Sequence, residues 1–196
     1  MLFYHFTDSS SAELICEGGI NVGVVPFGDR PPRRYVSLTS NLNPNGHGLY
    51  TGEAVPESHF AFQALANQYP ELVMESEHGS VLQLIDKTEV AFEIEIHESD
   101  PNLMTLDQFI LDTIKVLGLP DADEIRNTLK ADCIVSGKFP LGESNSLTEQ
   151  YKKMVEAEKN CPSDHLLGWY FYRDNVPAKF IKRILYKQSD TGYREK

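Results

Sequence analysis

The chain opens on an alternating segment. From Leu2 to Thr7, Leu2, Tyr4 and Phe6 fall on one face of an extended strand, and Phe3, His5 and Thr7 on the other. Asp8-Ser9-Ser10-Ser11 then offers N-cap residues to a helix carrying Ala12, Leu14, Ile15 and Cys16, and Gly18-Gly19 stops it. Residues 21–34, with Pro26, Gly28, Pro31 and Pro32, read as loop. Arg34 to Ser40 alternates again, with Tyr35, Ser37 and Thr39 on one face and Val36 and Leu38 on the other. Asn41 to Gly48 is the most turn-rich stretch, and 49–58 reads as irregular loop.

A short helix is expected over His59 to Gln68, ended by Pro70. Val90 to His97 is a strand with Phe92, Ile94 and Ile96 on one side and Glu93, Glu95 and His97 on the other. Residues 103–118 carry Leu106, Phe109, Ile110, Ile114 and Leu117 at helical spacing. Further on, the pattern predicts a helix from Pro120 to Lys130, a strand over Ala131 to Phe139 and a polar helix over Thr148 to Lys159. Trp169 to Tyr172 reads as an aromatic strand, Asp174-Asn175 as a turn, and Phe180 to Tyr186 as a last strand or helix. No internal repeat and no long polar linker interrupts this order. A single α+β domain over residues 1–196 is the expectation.

Charge narrows the choice of partners. Twenty-nine acids against 18 Lys and Arg leave a net charge of −11, which disfavours nonspecific nucleic-acid binding. The charge is uneven: residues 89–132 hold 11 acids and three bases, and residues 172–196 hold seven bases and three acids. The tail therefore either binds an acidic ligand or docks on the acidic middle, and the middle itself could engage a basic protein. No apolar run is long enough to span a bilayer, so no membrane association is expected. The opening residues lack a secretory pattern, and Cys16, Cys133 and Cys161 form no disulfide framework, which together suggest a reducing, cytoplasmic setting.

Several side chains could carry chemistry. His5, beside Thr7 on a polar-capable face, could offer a ring nitrogen to a ligand hydroxyl, or could simply pack with one nitrogen satisfied. Tyr35, Ser37 and Thr39 present an aromatic and two hydroxyls on one strand face, and the loop Asn43 to Gly48, with His47, could wrap a phosphate. Neither a P-loop lysine nor G-x-G-x-x-G is present. Glu93 and Glu95 have a spacing suited to acid/base work, but the expected reading is the solvated side of a half-buried strand. His47, His59, His78 and His97 lack ligand spacing, so no metal is expected, and there is no G-x-S-x-G. Either Trp169 and Phe171, or Tyr170 and Tyr172, could line a cleft.

Taken in order, Tyr4-His5-Phe6-Thr7, the helix Ser11 to Gly19, Tyr35-Val36-Ser37-Leu38-Thr39-Ser40 and Trp169 to Ile184 with Val176-Pro177 resemble the ADP-ribosyltransferase fold. The likeness is to its His-Tyr-Glu branch, which includes diphtheria-type toxins and poly(ADP-ribose) polymerases. It covers roughly a third of the chain. The resemblance implies a mostly antiparallel split sheet or sandwich with flanking helices, and NAD as substrate in a cleft between the two sheet halves. It implies that His5 fixes a ribose, that the backbone at Phe6 holds a carboxamide, and that Tyr35 or Ser37 meets the nicotinamide. On this likeness His5, Phe6, Thr7, Tyr35, Ser37, Thr39, His47 and Tyr170 are the candidate binding residues.

Catalysis in that family stabilises an oxocarbenium-like sugar with a carboxylate. The late strand here reads Asp164-His165-Leu166-Leu167-Gly168-Trp169-Tyr170, without a Glu. Asp164 is the nearby carboxylate, one methylene shorter, so the candidate catalytic set is His5, Tyr35 and Asp164, with Glu93 or Glu95 as substitutes under a different strand order. Two other functions stay open: an acidic interaction protein without chemistry, and an RNA 2′-phosphotransferase-like enzyme using Arg30, Arg33 and Arg34.

Overall fold

The structure, a computed structural model, describes residues 1–27, 30–44, 47, 49–59, 61–77, 79–117, 168–188 and 192–195. The elements expected over 120–130, 131–139 and 148–159, and Asp164, lie outside these residues. The fold is mixed α+β, with antiparallel pairing throughout and three α-helices among the described residues. Contacts gather the chain into two compact units, Met1–Pro44 with Thr88–Lys130 and Pro162–Lys196, and Asn45–Lys87 with Ala131–Cys161.

In the first unit, strand β1 (Leu2–Thr7) leads directly into helix α1 (Ser9–Gly18), as the alternation and the capping residues predict. Asp8 caps the helix: its Oδ1 accepts the Ser11 N–H at 2.8 Å and its Oδ2 accepts the Ser11 hydroxyl at 2.8 Å. Gly19 ends it at φ 85° and ψ −175°, a conformation open essentially to glycine alone. A Cβ there would stand 2.3 Å from the Val176 carbonyl oxygen. This close approach lets Ile20 and Val176 exchange backbone hydrogen bonds of 2.9 and 2.8 Å.

Residues 21–34, expected as loop, instead contribute β2 (Gly23–Phe27) and the first half of β3 (Arg30–Thr39). The register between them slips between Val25↔Arg33 and Phe27↔Arg30. Pro26, Pro31 and Pro32 all fall in that slip. A ladder tolerates proline at such an irregularity, because no N–H is required there.

The remaining strands of this unit are β7 (Val90–Glu95), β8 (Leu103–Thr105), β9 (Trp169–Tyr172), β10 (Ile181–Gln188) and β11 (Gly192–Glu195), while β4 (Ala54–Pro56), β5 (Val73–Ser76) and β6 (Gly79–Gln83) belong to the second unit. Their order is β11-β10-β7-β1-β3-β9-β8, with β2 beside β3. One face of the sheet buries Phe3, Val36, Leu38, Phe92 and Ile94 against Ala12 and Ile15 of α1. Each such side chain contributes about 1.5–3 kcal/mol of apolar burial. On the other face, Phe171 stacks on Phe109 of helix α3 (Leu106–Leu117), with ring centroids 3.8 Å apart.

Residues 103–105, expected in that helix, are β8 instead, because a capping box starts the helix later. The Gln108 N–H donates to Thr105 Oγ1 at 3.3 Å and Gln108 Oε1 accepts the Thr105 N–H at 2.9 Å.

The second unit holds β4 (Ala54–Pro56), helix α2 (Phe62–Gln68), β5 (Val73–Ser76) and β6 (Gly79–Gln83), with strand order β4-β6-β5. Its core is Val55, Phe62, Leu82 and Leu84. The expected irregular stretch 49–58 thus contains a strand. The expected helix over 59–68 starts at Phe62, behind a turn in which His59 Nδ1 accepts the Ala61 N–H at 3.1 Å.

Candidate functional site

Strand β1 is the axis of the first unit, and its two neighbours treat it differently. Against β7 it pairs along its whole length, from Leu2↔Glu95 to Thr7↔Val90. Against β3, among the described residues, the register is one pair, Tyr4↔Thr39. Directly beyond that pair stands His5.

The His5 ring is half-buried, and its Nδ1 lies 3.0 Å from the Ser37 carbonyl oxygen. A carbonyl oxygen only accepts, so Nδ1 carries the proton and the neutral ring presents Nε2 as an acceptor. Burial holds the His5 pKa below the usual histidine value, and the Ser37 carbonyl offsets this only in part. Near neutral pH the ring is therefore uncharged. Among the described residues Nε2 meets no hydrogen-bond partner.

Strand alternation fixes where the other candidates stand. Because Tyr4 faces Thr39, the side chains of Tyr4, Phe6, Tyr35, Ser37 and Thr39 share one face, and those of His5, Thr7 and Tyr170 share the opposite one. The expected common cleft of His5 with Tyr35, Ser37 and Thr39 is thus not formed by their side chains. His5 reaches the hydroxyl-bearing strand only through the Ser37 backbone. Ser37 is exposed. Thr39 is buried, and its Oγ1 accepts the Asn41 N–H at 3.1 Å.

Tyr35 is buried in an aromatic cluster, edge-on to Phe109 at 5.1 Å, and donates its hydroxyl to Asp112 at 2.7 Å. That places it under α3. Phe6 is buried with its ring tilted against Tyr193 at 5.5 Å. Thr7 is buried, and half-buried Tyr170 packs edge-on to Phe3 at 4.8 Å. Tyr170 lines a hollow of about 390 Å³ with Met1, Asp100, Leu103, Thr105 and Gln108; His5 is not part of its wall. His47 belongs to the second unit. Of Arg30, Arg33 and Arg34, only the Arg34 side chain is described, and it is exposed.

The face opposite His5 carries a row that the sequence did not reveal. Trp169, Thr39, Tyr4, Glu93 and Arg183 stand at successive register positions across five strands. Glu93, expected on a solvated side, is only 4% exposed. It is buried because an ion-pair partner arrives from β10: the Arg183 guanidinium grips both carboxylate oxygens, with Nε donating to Oε1 at 2.8 Å and Nη2 to Oε2. The Tyr4 hydroxyl donates to the same carboxylate at 3.4 Å. Hydrogen bonding from Arg183 holds the Glu93 carboxyl below the ordinary range. Burial, with the Glu93 charge behind it, pushes the Tyr4 phenol up.

The basic tail and acidic middle therefore meet directly. Lys182 pairs with Glu95 at 2.8 Å and Arg173 with Asp112 at 3.3 Å, beside Arg183 on Glu93. The charge asymmetry was the one signal in the sequence for Arg183, and alternation alone could not pair it with a residue 90 positions away.

No group of three or more His, Cys, Asp or Glu among the described residues is placed to hold a metal ion. No helix among them is long and apolar enough to cross a membrane. Compared with known proteins, the chain matches no family model, no curated protein and no solved structure.

Proposed function

We propose that the chain binds NAD or a related nucleotide against β1, as a protein of ADP-ribosyltransferase type, with His5 Nε2 accepting a hydrogen bond from a ribose hydroxyl. The supporting observation is the His5 ring itself. Its Nδ1–H is committed to the Ser37 carbonyl, its charge is suppressed by burial, and its second nitrogen is an acceptor without a partner among the described residues. A hydroxyl-rich sugar is the ligand chemistry that suits such an acceptor. Thr7 and Tyr170 share its face.

Transfer of ADP-ribose would additionally need a carboxylate on the ligand's side. Glu93 stands on the opposite face and is held by Arg183, so the proposed function is nucleotide binding, with transfer resting on a residue outside the described ones, such as Asp164. A basic protein partner is the less favoured reading, because Glu93, Glu95 and Asp112 of the acidic middle are already met by the chain's own cations.

Isothermal titration with NAD tests the reading. Binding at millimolar ligand or below, lost in a folded His5→Asn variant, supports it. A folded wild-type chain that takes up no NAD at that concentration overturns it. Asn can keep the donor to Ser37 while removing the distal acceptor, so the variant separates the ligand role from the structural one.

A further inference from the structure

The strand β10 is paired on only part of its outer side. The described part of β11 covers Leu185 to Gln188, where Glu195 stands opposite Leu185 and Gly192 opposite Gln188. Ile181, Arg183 and Ile184 pair with β7 on one side, the register slipping at Lys182, and have, among the described residues, no strand on the other. An edge that the described residues leave uncovered is a template for another strand. Alongside it lies a hollow of about 480 Å³, whose wall includes Cys16, Ala178, Ile181, Ile184 and Tyr186 together with Lys182 and Arg183.

We propose that this edge receives an extended segment of a partner protein by strand addition, and that the segment alternates aliphatic and acidic residues. The alternation follows from the faces of β10. Ile184 lies at the level of Phe92, on the α1 side of the sheet, and Tyr186 at the level of Val90 on the same side. Arg183 lies at the level of Glu93, on the other side. An added strand has a side-chain period of two, so every second residue turns toward the side of Ile184 and Tyr186 and the residues between turn toward the side of Arg183.

Lys182 and Arg183 are each about half exposed, at 46% and 49%, even while paired to Glu95 and Glu93. They stand in a stretch of this acidic chain where bases outnumber acids, seven to three over residues 172–196. On the wall of the hollow two cations, Lys182 and Arg183, stand against one carboxylate, Glu195, which favours an acidic segment there over the rest of this acidic chain. Glu195, at the β11 end of the hollow, repels acids there and sets the segment against Ile181 to Ile184. Edge backbone groups that meet no partner strand among the described residues favour a peptide over a small anion, because a strand satisfies them and a carboxylate alone does not.

The test uses the full chain and the peptide acetyl-Val-Glu-Val-Glu-Val-Glu-amide. Backbone amide NMR should show shifts and slowed exchange concentrated at 181–184. The affinity should fall about tenfold when the edge-facing peptide amides are N-methylated, which removes backbone pairing and keeps the charges. A fall of similar size is expected in Lys182→Glu, an exposed position whose change leaves the core intact. Absence of binding at millimolar peptide overturns the proposal. So does binding indifferent to N-methylation, which would mark simple charge attraction, and so do shifts mapping elsewhere on the chain. Neither peptide nor variant touches His5, so the result is independent of the nucleotide reading.

Discussion

His5 Nδ1 sits 3.0 Å from the carbonyl oxygen of Ser37, across the junction where β1 and β3 share a single register pair. A histidine in a strand is thereby made to do what backbone pairing does elsewhere in the sheet. It joins two strands, and in doing so it fixes its own tautomer. The other nitrogen is then an acceptor by elimination, and the same burial that holds the ring keeps it neutral.

Nucleotide affinity should therefore depend on pH through this ring. The folded pKa of His5 lies below the usual 6.5 or so, and only the neutral form accepts at Nε2. Affinity for NAD is expected to be flat near neutrality and to fall on acidification through that lowered pKa. Titration calorimetry between about pH 7.5 and 5 reads this directly, and affinity that rose on acidification would contradict the assigned tautomer.

Stability should fall in the same direction, for two separate reasons. As pH drops below about 6.5, the unfolded chain takes up the His5 proton before the folded chain does, and stability declines. At lower pH, Glu93 contributes a second decline. Its folded pKa is depressed by Arg183, so its contribution is present above the ordinary carboxylate range and is lost as pH falls through the folded value. In His5→Gln the first decline should shrink, and in Glu93→Gln the second. Thermal unfolding followed across this range separates the two.

Gly19→Ala should be among the most damaging single substitutions in the chain. The new Cβ would lie 2.3 Å from the Val176 carbonyl oxygen and 2.8 Å from the Ala178 nitrogen, at a backbone conformation that alanine resists. A loss of about 2–4 kcal/mol is expected in denaturant unfolding. Gly18→Ala is the control: a Cβ at Gly18 meets nothing within 4 Å, and its effect should be small.

Tyr35→Phe distinguishes a structural tyrosine from a ligand-stacking one. Removing the hydroxyl leaves Asp112 without a 2.7 Å donor and should cost about 1–2 kcal/mol of stability. NAD affinity should be unchanged, since the ring already packs against Phe109 and Phe171. A weakened affinity with unaltered stability would return Tyr35 to the binding site.

The local parts of this fold are readable from the chain itself. Strand β1 and helix α1 emerge from six alternating residues, an Asp-Ser cap and a double glycine, all within 19 positions. The hairpin of β2 and β3 is hidden because its three prolines sit in a register slip, which sequence reading takes for a loop. Strand β8 is hidden because Leu103 and Met104 continue the apolar spacing of a helix that Thr105 caps two residues later.

The site was legible in part. His5 stands out in sequence, but which face it shares is decided by Tyr4↔Thr39, a pairing between segments 35 residues apart. Glu93 looked like solvated surface because nothing near it announces Arg183. Long-range register and long-range charge pairing are the two quantities that local patterning does not carry.

The narrow joint between β1 and β3 bears on how the sheet comes apart. A ladder of six rungs holds β1 to β7, while one rung and one imidazole hold it to β3. Fluctuations that unzip the molecule should begin at this weak seam, so that β1 leaves β3 while still fastened to β7. A guest wedged into the seam would then act as a missing rung, and its arrival should be felt as a slowing of motion in both flanking strands.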